Sequence, residues 1–144
     1  MSVSFEFTPD NFAKAKAAMA KYPEGRQQSA VLALLDLAQR QNEDGHYVTD
    51  AAISTISEML DMARIRVVEV ATFFTMINLS PVGKYLLQCC TTTPCWLRGS
   101  SEVHDAIQNH LGIHNGETTE DGLFTLMEVE CLGACANAWA SFYV

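Results

Sequence analysis

Five cysteines are the residues of this sequence best suited to chemistry, and four of them form two spaced pairs. Cys90 and Cys95 enclose four residues, whereas Cys131 and Cys135 enclose three. Thiolates bind zinc and iron–sulfur clusters, and thiols in oxidising compartments form disulfides. The odd number of cysteines, and an N-terminal sequence without the features of an export signal, favour a metal or redox site over a disulfide framework.

The two spacings favour a binuclear iron–sulfur centre and leave zinc open. A four-residue gap between cysteines occurs in [2Fe–2S] proteins, whereas structural zinc usually takes ligand pairs two to four residues apart. The sequence lacks the Cys-x-x-Cys of a thioredoxin dithiol, and no histidine pairs with cysteine as a Rieske centre requires. The leading hypothesis is one [2Fe–2S] cluster; zinc and a purely structural or disulfide role remain alternatives. The candidate ligands are Cys90, Cys95, Cys131 and Cys135.

Residues beside these cysteines suit a negatively charged centre. Thr91, Thr92 and Thr93 offer hydroxyls and amides that can hydrogen-bond sulfur and raise a reduction potential. Gly133 allows backbone to approach sulfur closely. Cys89 neighbours Cys90 on a predicted strand, so alternation points it to the opposite face, where we expect a small buried hydrophobe rather than a ligand.

Four helices are predicted before the first cysteine. Thr8-Pro9-Asp10 indicates a helix start, and that helix would reach Ala20. Apolar periodicity predicts a second, central helix over about Gln27–Gln41, a third capped by Thr49, and a fourth over about Arg66–Ile77. The clearest break is Asn78–Gly83. We therefore predict a helical domain over residues 1–80 and a second domain over residues 81–144.

For the second domain the sequence predicts, in order, a strand, a cysteine loop, a helix, a second strand and a second cysteine loop. The strands are predicted at Lys84–Cys90 and Phe124–Cys131, and the helix at Ser101–Leu111, capped by Ser100 and ended by Gly112. A strand–helix–strand unit of this length predicts a parallel pair with a right-handed crossover. Both cysteine loops would then leave the same edge of the sheet.

Length, charge and hydropathy exclude several classes of function. The 144 residues are 49% hydrophobic, which is enough for a packed core in one domain or two small ones. A net charge of −8 argues against a nucleic-acid partner. No apolar run approaches the ~20 residues that span a bilayer, and Met1–Asp10 lacks the character of a signal or transit peptide. We expect a soluble intracellular protein with no direct membrane insertion.

Several motifs resemble a known family. They are the run Cys89–Cys95 (CCTTTPC), the run Glu128–Cys135 (EVECLGAC), and upstream Tyr22–Arg26 (YPEGR), Leu35–Gln41 (LDLAQRQ) and Glu69–Met76 (EVATFFTM). Together they resemble the thioredoxin-like [2Fe–2S] ferredoxin family, in the form of the 24 kDa subunit of NADH:quinone oxidoreductase, respiratory complex I. The resemblance runs from Phe5 to Ala138.

The resemblance implies an α+β or α/β architecture, with an N-terminal helical bundle followed by a thioredoxin-like [2Fe–2S] domain. It implies that Cys90, Cys95, Cys131 and Cys135 ligate one [2Fe–2S] cluster. It further implies an electron-carrying subunit without a complete active site of its own. Such a subunit docks onto the flavin-bearing, NADH-oxidising subunit and neighbouring peripheral-arm subunits.

In that arrangement FMN and NADH are bound by the partner, and the complex lies peripherally on the cytoplasmic, inner face of the bacterial membrane. One alternative is the equivalent subunit of an NAD-dependent hydrogenase or formate dehydrogenase, because its cluster chemistry would be identical. A zinc-stabilised interaction module is the other.

The sequence departs from the family at its C-terminal end. After Asn137-Ala138 the family usually continues with proline, a β-hairpin and a terminal helix. Here Trp139 stands at the proline position and the sequence ends at Val144. We therefore expect the thioredoxin-like domain to be truncated, without that hairpin and helix.

Overall fold

The computed structural model describes residues 4–135, and the chain divides after Pro81 into two compact units. Among these residues the first unit, which we call the helical unit, contains α1 (Pro9–Met19), α2 (Val31–Gln41), α3 (Asp50–Leu60) and α4 (Arg64–Phe73). The second, which we call the sheet unit, contains β1 (Tyr85–Cys90), α5 (Thr93–Leu97), α6 (Ser100–Leu111) and β2 (Phe124–Val129). Within residues 4–135 no helix has the length and apolar character needed to cross a bilayer.

Two threonines begin helices of the helical unit, as predicted. The Thr8 hydroxyl accepts a hydrogen bond from the Asn11 amide at 3.4 Å, and Pro9 follows as the first residue of α1. The Thr49 hydroxyl accepts one from the Ala52 amide at 3.2 Å and caps α3. A hydroxyl in this position satisfies one of the amides that a helix start leaves without an intrahelical partner.

The helical unit is held together by a continuous apolar core. Leu34 and Leu35 of α2, Ile56 of α3 and Val67 of α4 are fully buried, and Ala15 of α1 closes the cluster. Burying one such large aliphatic side chain contributes about 1.5–3 kcal/mol. The central position predicted for α2 is confirmed.

Two predicted helix bounds differ from the structure. The first turn of the second helix is a separate 3₁₀ turn over Gln27–Ala30. The fourth helix runs over Arg64–Phe73 rather than to Ile77, because Phe74 is already extended, with φ −89° and ψ 107°. Leaving the helix there allows Ile77 to turn into the core and the Asn78 carbonyl to accept the Val48 amide at 2.8 Å.

The sheet unit is built on one parallel strand pair. Tyr85 of β1 pairs with Phe124 of β2, and the register continues to Cys90 opposite Val129. Gly83 precedes β1, and a Cβ there would lie 2.9 Å from the backbone of Leu123 and Phe124, so only glycine fits the approach. The predicted parallel pairing is confirmed.

The helices of the sheet unit differ from the prediction in two respects. Gly99, with φ 94°, is the N-cap of α6, and Ser100 is the first helical residue with only 1% of its surface exposed. Ser100 therefore does not cap the helix, because its side chain is packed inward. The short helix α5 within the first cysteine loop was not predicted. Gly112 ends α6 in the left-handed conformation, as expected. The predicted C-terminal truncation lies outside the described residues.

Candidate metal centre

Both cysteine loops begin at the same edge of the two-stranded sheet. Cys90 is the last residue of β1, and β2 ends at Val129, two residues before Cys131. The Thr91 amide still donates to the Val129 carbonyl at 3.4 Å, so the two chains separate only beyond that pair. Parallel pairing thus brings together segments that are about forty residues apart in the sequence.

The first loop folds back on itself through α5. Pro94 lies in the first turn of this helix, where its missing N–H leaves no helical hydrogen bond unmade. Cys95, in the middle of α5, packs with Cys90, and both side chains are nearly inaccessible, at 4% and 1% exposed. Leu132 of the second loop packs against this pair. The two loops are therefore in direct contact.

The second loop leaves its two cysteines exposed. Cys131 and Cys135 are accessible to solvent, in contrast to Cys90 and Cys95. Gly133 has φ 71°, a conformation that favours glycine, and its amide donates to Cys131 Sγ at 3.4 Å. The close approach of backbone to sulfur expected at Gly133 is therefore present.

Polar groups surround the Cys90 sulfur. The Thr92 hydroxyl lies 3.1 Å from Sγ, and the Glu130 carbonyl accepts the thiol at 3.3 Å. Burial opposes ionisation of Cys90. The Thr92 hydroxyl and amide, the Cys95 thiol and the Leu132 backbone nevertheless lower the pKa of Cys90 below its ordinary value. This environment stabilises a thiolate, the form in which cysteine binds metal.

The pKa of Cys95 is shifted in the opposite direction. Its thiol donates to Cys90, and this hydrogen bond, followed by burial and the neighbouring charge of Cys90, raises the pKa of Cys95 to about 11. The charges of Cys135 and Cys131 contribute to the same shift. Neighbouring thiolates repel one another, and a bound cation would remove that repulsion.

Cys89 occupies the other face of β1. It is fully buried, and its thiol faces the Ser100 carbonyl of α6 at 4.0 Å. Burial, followed by the charges of Cys90 and Glu128, raises the pKa of Cys89. The expected small buried hydrophobe is therefore present at this position.

The four candidate ligands have the chemistry of a thiolate-bound metal centre. All five cysteines are free thiols. Within residues 4–135, no three side chains of His, Cys, Asp or Glu converge closely enough to hold one metal ion. Tetrahedral zinc needs four ligands around one ion, whereas a [2Fe–2S] core distributes four thiolates over two irons. The thiols at these positions suit either centre, and the two pairs differ in exposure.

Comparison with known proteins identifies the family. A family model described as thioredoxin-like [2Fe–2S] ferredoxin matches residues 15–142. The chain belongs to this family. It is 52% identical over 135 residues to an NADH-quinone oxidoreductase subunit from Rickettsia typhi, covering 94% of this chain and 78% of that protein.

Two further relatives extend this similarity. An NADH-quinone oxidoreductase subunit from Rickettsia conorii is 53% identical over 135 residues, covering 94% of this ferredoxin-family chain and 80% of that protein. The mitochondrial NADH dehydrogenase [ubiquinone] flavoprotein 2 of Dictyostelium discoideum is 49% identical over 134 residues, covering 93% of this chain and 53% of that protein. The resemblance seen in the sequence motifs is thereby confirmed, and family membership implies an iron–sulfur cluster.

Some residues around the cysteines were not singled out by sequence. The Thr-Thr-Pro run before Cys95 resembles the Thr8-Pro9 helix start and could have indicated α5. Nothing in the sequence distinguishes Thr91, Thr92 and Thr93 from one another. In the described part of the chain, Thr92 is the one of the three whose hydroxyl lies within hydrogen-bond distance of sulfur. The contact of the Glu130 carbonyl with Cys90 could not be predicted from the sequence, because every residue has a backbone carbonyl.

Proposed function

We propose that this chain is the electron-carrying [2Fe–2S] subunit of an NADH:quinone oxidoreductase. The observation that carries this proposal is the identity of about half the residues, over 94% of the chain, to proteins named as subunits of NADH-quinone oxidoreductase. The contacts around Cys90 support it, because the Thr92 hydroxyl and the neighbouring groups lower the pKa of this thiol at the edge of the sheet where both cysteine loops begin. When bound, a [2Fe–2S] cluster accepts and returns one electron.

The four proposed ligands have distinct tasks. Cys90 and Cys95 would bind from the buried side, where their side chains are nearly inaccessible and Leu132 packs against them. Cys131 and Cys135 bind from the surface, where a partner can approach the centre. Trp96 and Leu97, 59% and 72% exposed, follow Cys95 directly and add an apolar surface beside it. This asymmetry suits an electron carrier that is closed on one side and accessible on the other.

The proposed electron partner is the flavin-bearing, NADH-oxidising subunit of the same complex. In this assignment FMN and NADH are bound by the partner, and this chain holds only the cluster. Its helical unit and its exposed apolar residues serve assembly with that partner and with neighbouring peripheral-arm subunits. The complex as a whole would place the chain peripherally, on the inner face of the bacterial membrane.

The centre itself can be tested on the purified full-length chain. Protein prepared without oxygen should be red-brown, should contain about two irons and two sulfides per chain, and should give a [2Fe–2S] electron paramagnetic resonance signal after reduction. A colourless chain with one bound zinc would contradict the proposal.

The ligand assignment is tested by substitution with a matched control on the adjacent residue. Cys90→Ser, Cys95→Ser, Cys131→Ser and Cys135→Ser should each lose the binuclear signal or change its g values. Cys89→Ala removes the neighbouring thiol from the opposite face of β1 and should keep both iron content and spectrum. Loss of the cluster in Cys89→Ala alone would move the ligand assignment to that residue.

The partner is tested by co-production with flavin subunits. The chain should co-purify with the flavin subunit of an NADH:quinone oxidoreductase, and NADH should then reduce the cluster in the complex. Co-purification only with the flavin subunit of an NAD-dependent hydrogenase or formate dehydrogenase would assign the chain to that complex instead. Absence of NADH-dependent reduction in both complexes would refute the partner assignment.

A further inference from the structure

Two adjacent threonines after β1 have separate hydrogen-bond partners. The Thr92 hydroxyl lies 3.1 Å from Cys90 Sγ. The Thr91 hydroxyl instead donates to the Glu128 carboxylate at 2.6 Å. Both side chains are half-buried, so exposure does not distinguish them. What distinguishes them is whether the hydroxyl faces sulfur or carboxylate.

The direction of the Thr92 hydrogen bond follows from the single proton of a thiol. The Cys90 thiol donates to the Glu130 carbonyl at 3.3 Å, which leaves its sulfur as the acceptor toward Thr92. A metal-bound Cys90 is a thiolate and has no proton at all. In that state Thr92 can interact with sulfur only as the donor.

The position of Thr92 in the chain supports a role beyond local structure. Thr92 is the N-cap of α5, with φ −66° and ψ 162°, yet its side chain makes no capping hydrogen bond. In the helical unit, Thr8 and Thr49 occupy the same helix position, and there each hydroxyl accepts a backbone amide. The hydroxyl of Thr92 is therefore directed away from the helix start and toward sulfur.

We propose that Thr92 is a positioning residue that raises the reduction potential of the [2Fe–2S] centre by donating a hydrogen bond to the Cys90 sulfur. The inference rests on the proposed function, since it requires the cluster. A reduced flavin of the partner, or dithionite in the test below, supplies one electron, and one ferric ion becomes ferrous. The centre gains one negative charge in this step, so a donor at sulfur stabilises the reduced form more than the oxidised form.

The test compares three full-length variants by redox titration monitored by electron paramagnetic resonance. Thr92→Val keeps the shape and removes the hydroxyl, Thr92→Ser keeps the hydroxyl, and Thr91→Val is the control on the adjacent residue. We expect Thr92→Val to disfavour reduction about tenfold, a midpoint about 59 mV lower for one electron. Thr92→Ser and Thr91→Val should stay close to the unmodified protein, and iron content should be unchanged in all three.

A second measurement separates hydrogen bonding from packing. The Fe–S(Cys) stretching frequencies in the resonance Raman spectrum should change in Thr92→Val and stay unchanged in Thr91→Val. Equal midpoints in Thr92→Val and the unmodified chain, or equal shifts in Thr92→Val and Thr91→Val, would overturn the role of Thr92. Loss of the cluster in Thr92→Val would also overturn it, since the residue would then be structural. Absence of any [2Fe–2S] signal in the unmodified protein would instead refute the proposed function.

Discussion

The two units of this protein bury different kinds of side chain. The helical unit has a continuous aliphatic core to which all four helices contribute. Among the described residues of the sheet unit, the buried apolar side chains are Cys89, Cys90, Cys95, Ile113 and Leu126. Three of these are cysteines, and two of them are proposed ligands. The comparison shows that one unit is stabilised by packing, whereas the other has its thiols where a core would otherwise be aliphatic.

Removal of iron should produce the largest difference in stability between the two units. A ligand that binds only the folded state at 1,000 times its dissociation constant stabilises it by about 4.1 kcal/mol. We therefore expect backbone amides of β1 and β2 to exchange hydrogen about 1,000-fold faster in the iron-free chain. Amides of α2 and α3 should change far less. Comparable acceleration in both units would show that their stabilities are not separate.

A cavity in the aliphatic core should produce the reverse pattern. Leu34→Ala removes a fully buried side chain of α2, which should destabilise the helical unit by about 3 kcal/mol in urea unfolding. The cluster spectrum and iron content should remain unchanged. Leu32→Ala, on the same helix but only partly buried, is the control and should cost clearly less. Iron loss in Leu34→Ala would contradict the separation of the two cores.

Alkylation of the iron-free chain should report the asymmetry within the sheet unit. Cys131 and Cys135 are exposed and should react first, roughly tenfold or more ahead of Cys90 and Cys95. Cys89 should react last, because it is buried and its pKa is raised. Peptide mapping by mass spectrometry after timed quenching measures this order. Early labelling of Cys89 would show that β1 separates from α6 without iron.

The smallest expected effect concerns a helix cap. Thr49→Ala removes the hydroxyl that accepts the Ala52 amide and should cost the helical unit about 1 kcal/mol. Thr49→Ser keeps the acceptor and should recover most of this stability. Thr92→Ala should cost less stability than Thr49→Ala, because its hydroxyl does not cap α5. Urea midpoints of the iron-loaded variants, followed by helix circular dichroism, provide the comparison.

Sequence predicted the parts of the fold that local rules govern. Thr8 and Thr49 were identified as caps because a hydroxyl before an apolar periodic run has few other uses at a helix start. The parallel strand pair followed from the strand–helix–strand order. The C-terminal bound of α4 did not follow, since Phe74 leaves the helix to bring Ile77 into a core formed by distant residues.

The sequence predicted which cysteines form the candidate site, but not how deeply each is buried or which residues surround it. Spacing alone left zinc open, and family membership gave the [2Fe–2S] assignment its weight. Spacing could not distinguish the buried pair, Cys90 and Cys95, from the exposed pair, because exposure depends on α5 and on Leu132. Ser100 was assigned as a cap from its residue type, yet Gly99 has the left-handed conformation that the turn requires.

Two consecutive cysteines end β1, and strand pairing decides which of them faces the proposed iron site. Side chains alternate along a strand, so sliding β1 by one residue against β2 would exchange Cys89 and Cys90 between the two faces. The register that places Cys90 opposite Val129 therefore selects the ligand, although both residues have the same chemistry. A chain whose strands paired one residue out of register would place the Cys89 sulfur on the face of the proposed site and the Cys90 sulfur on the buried face against α6.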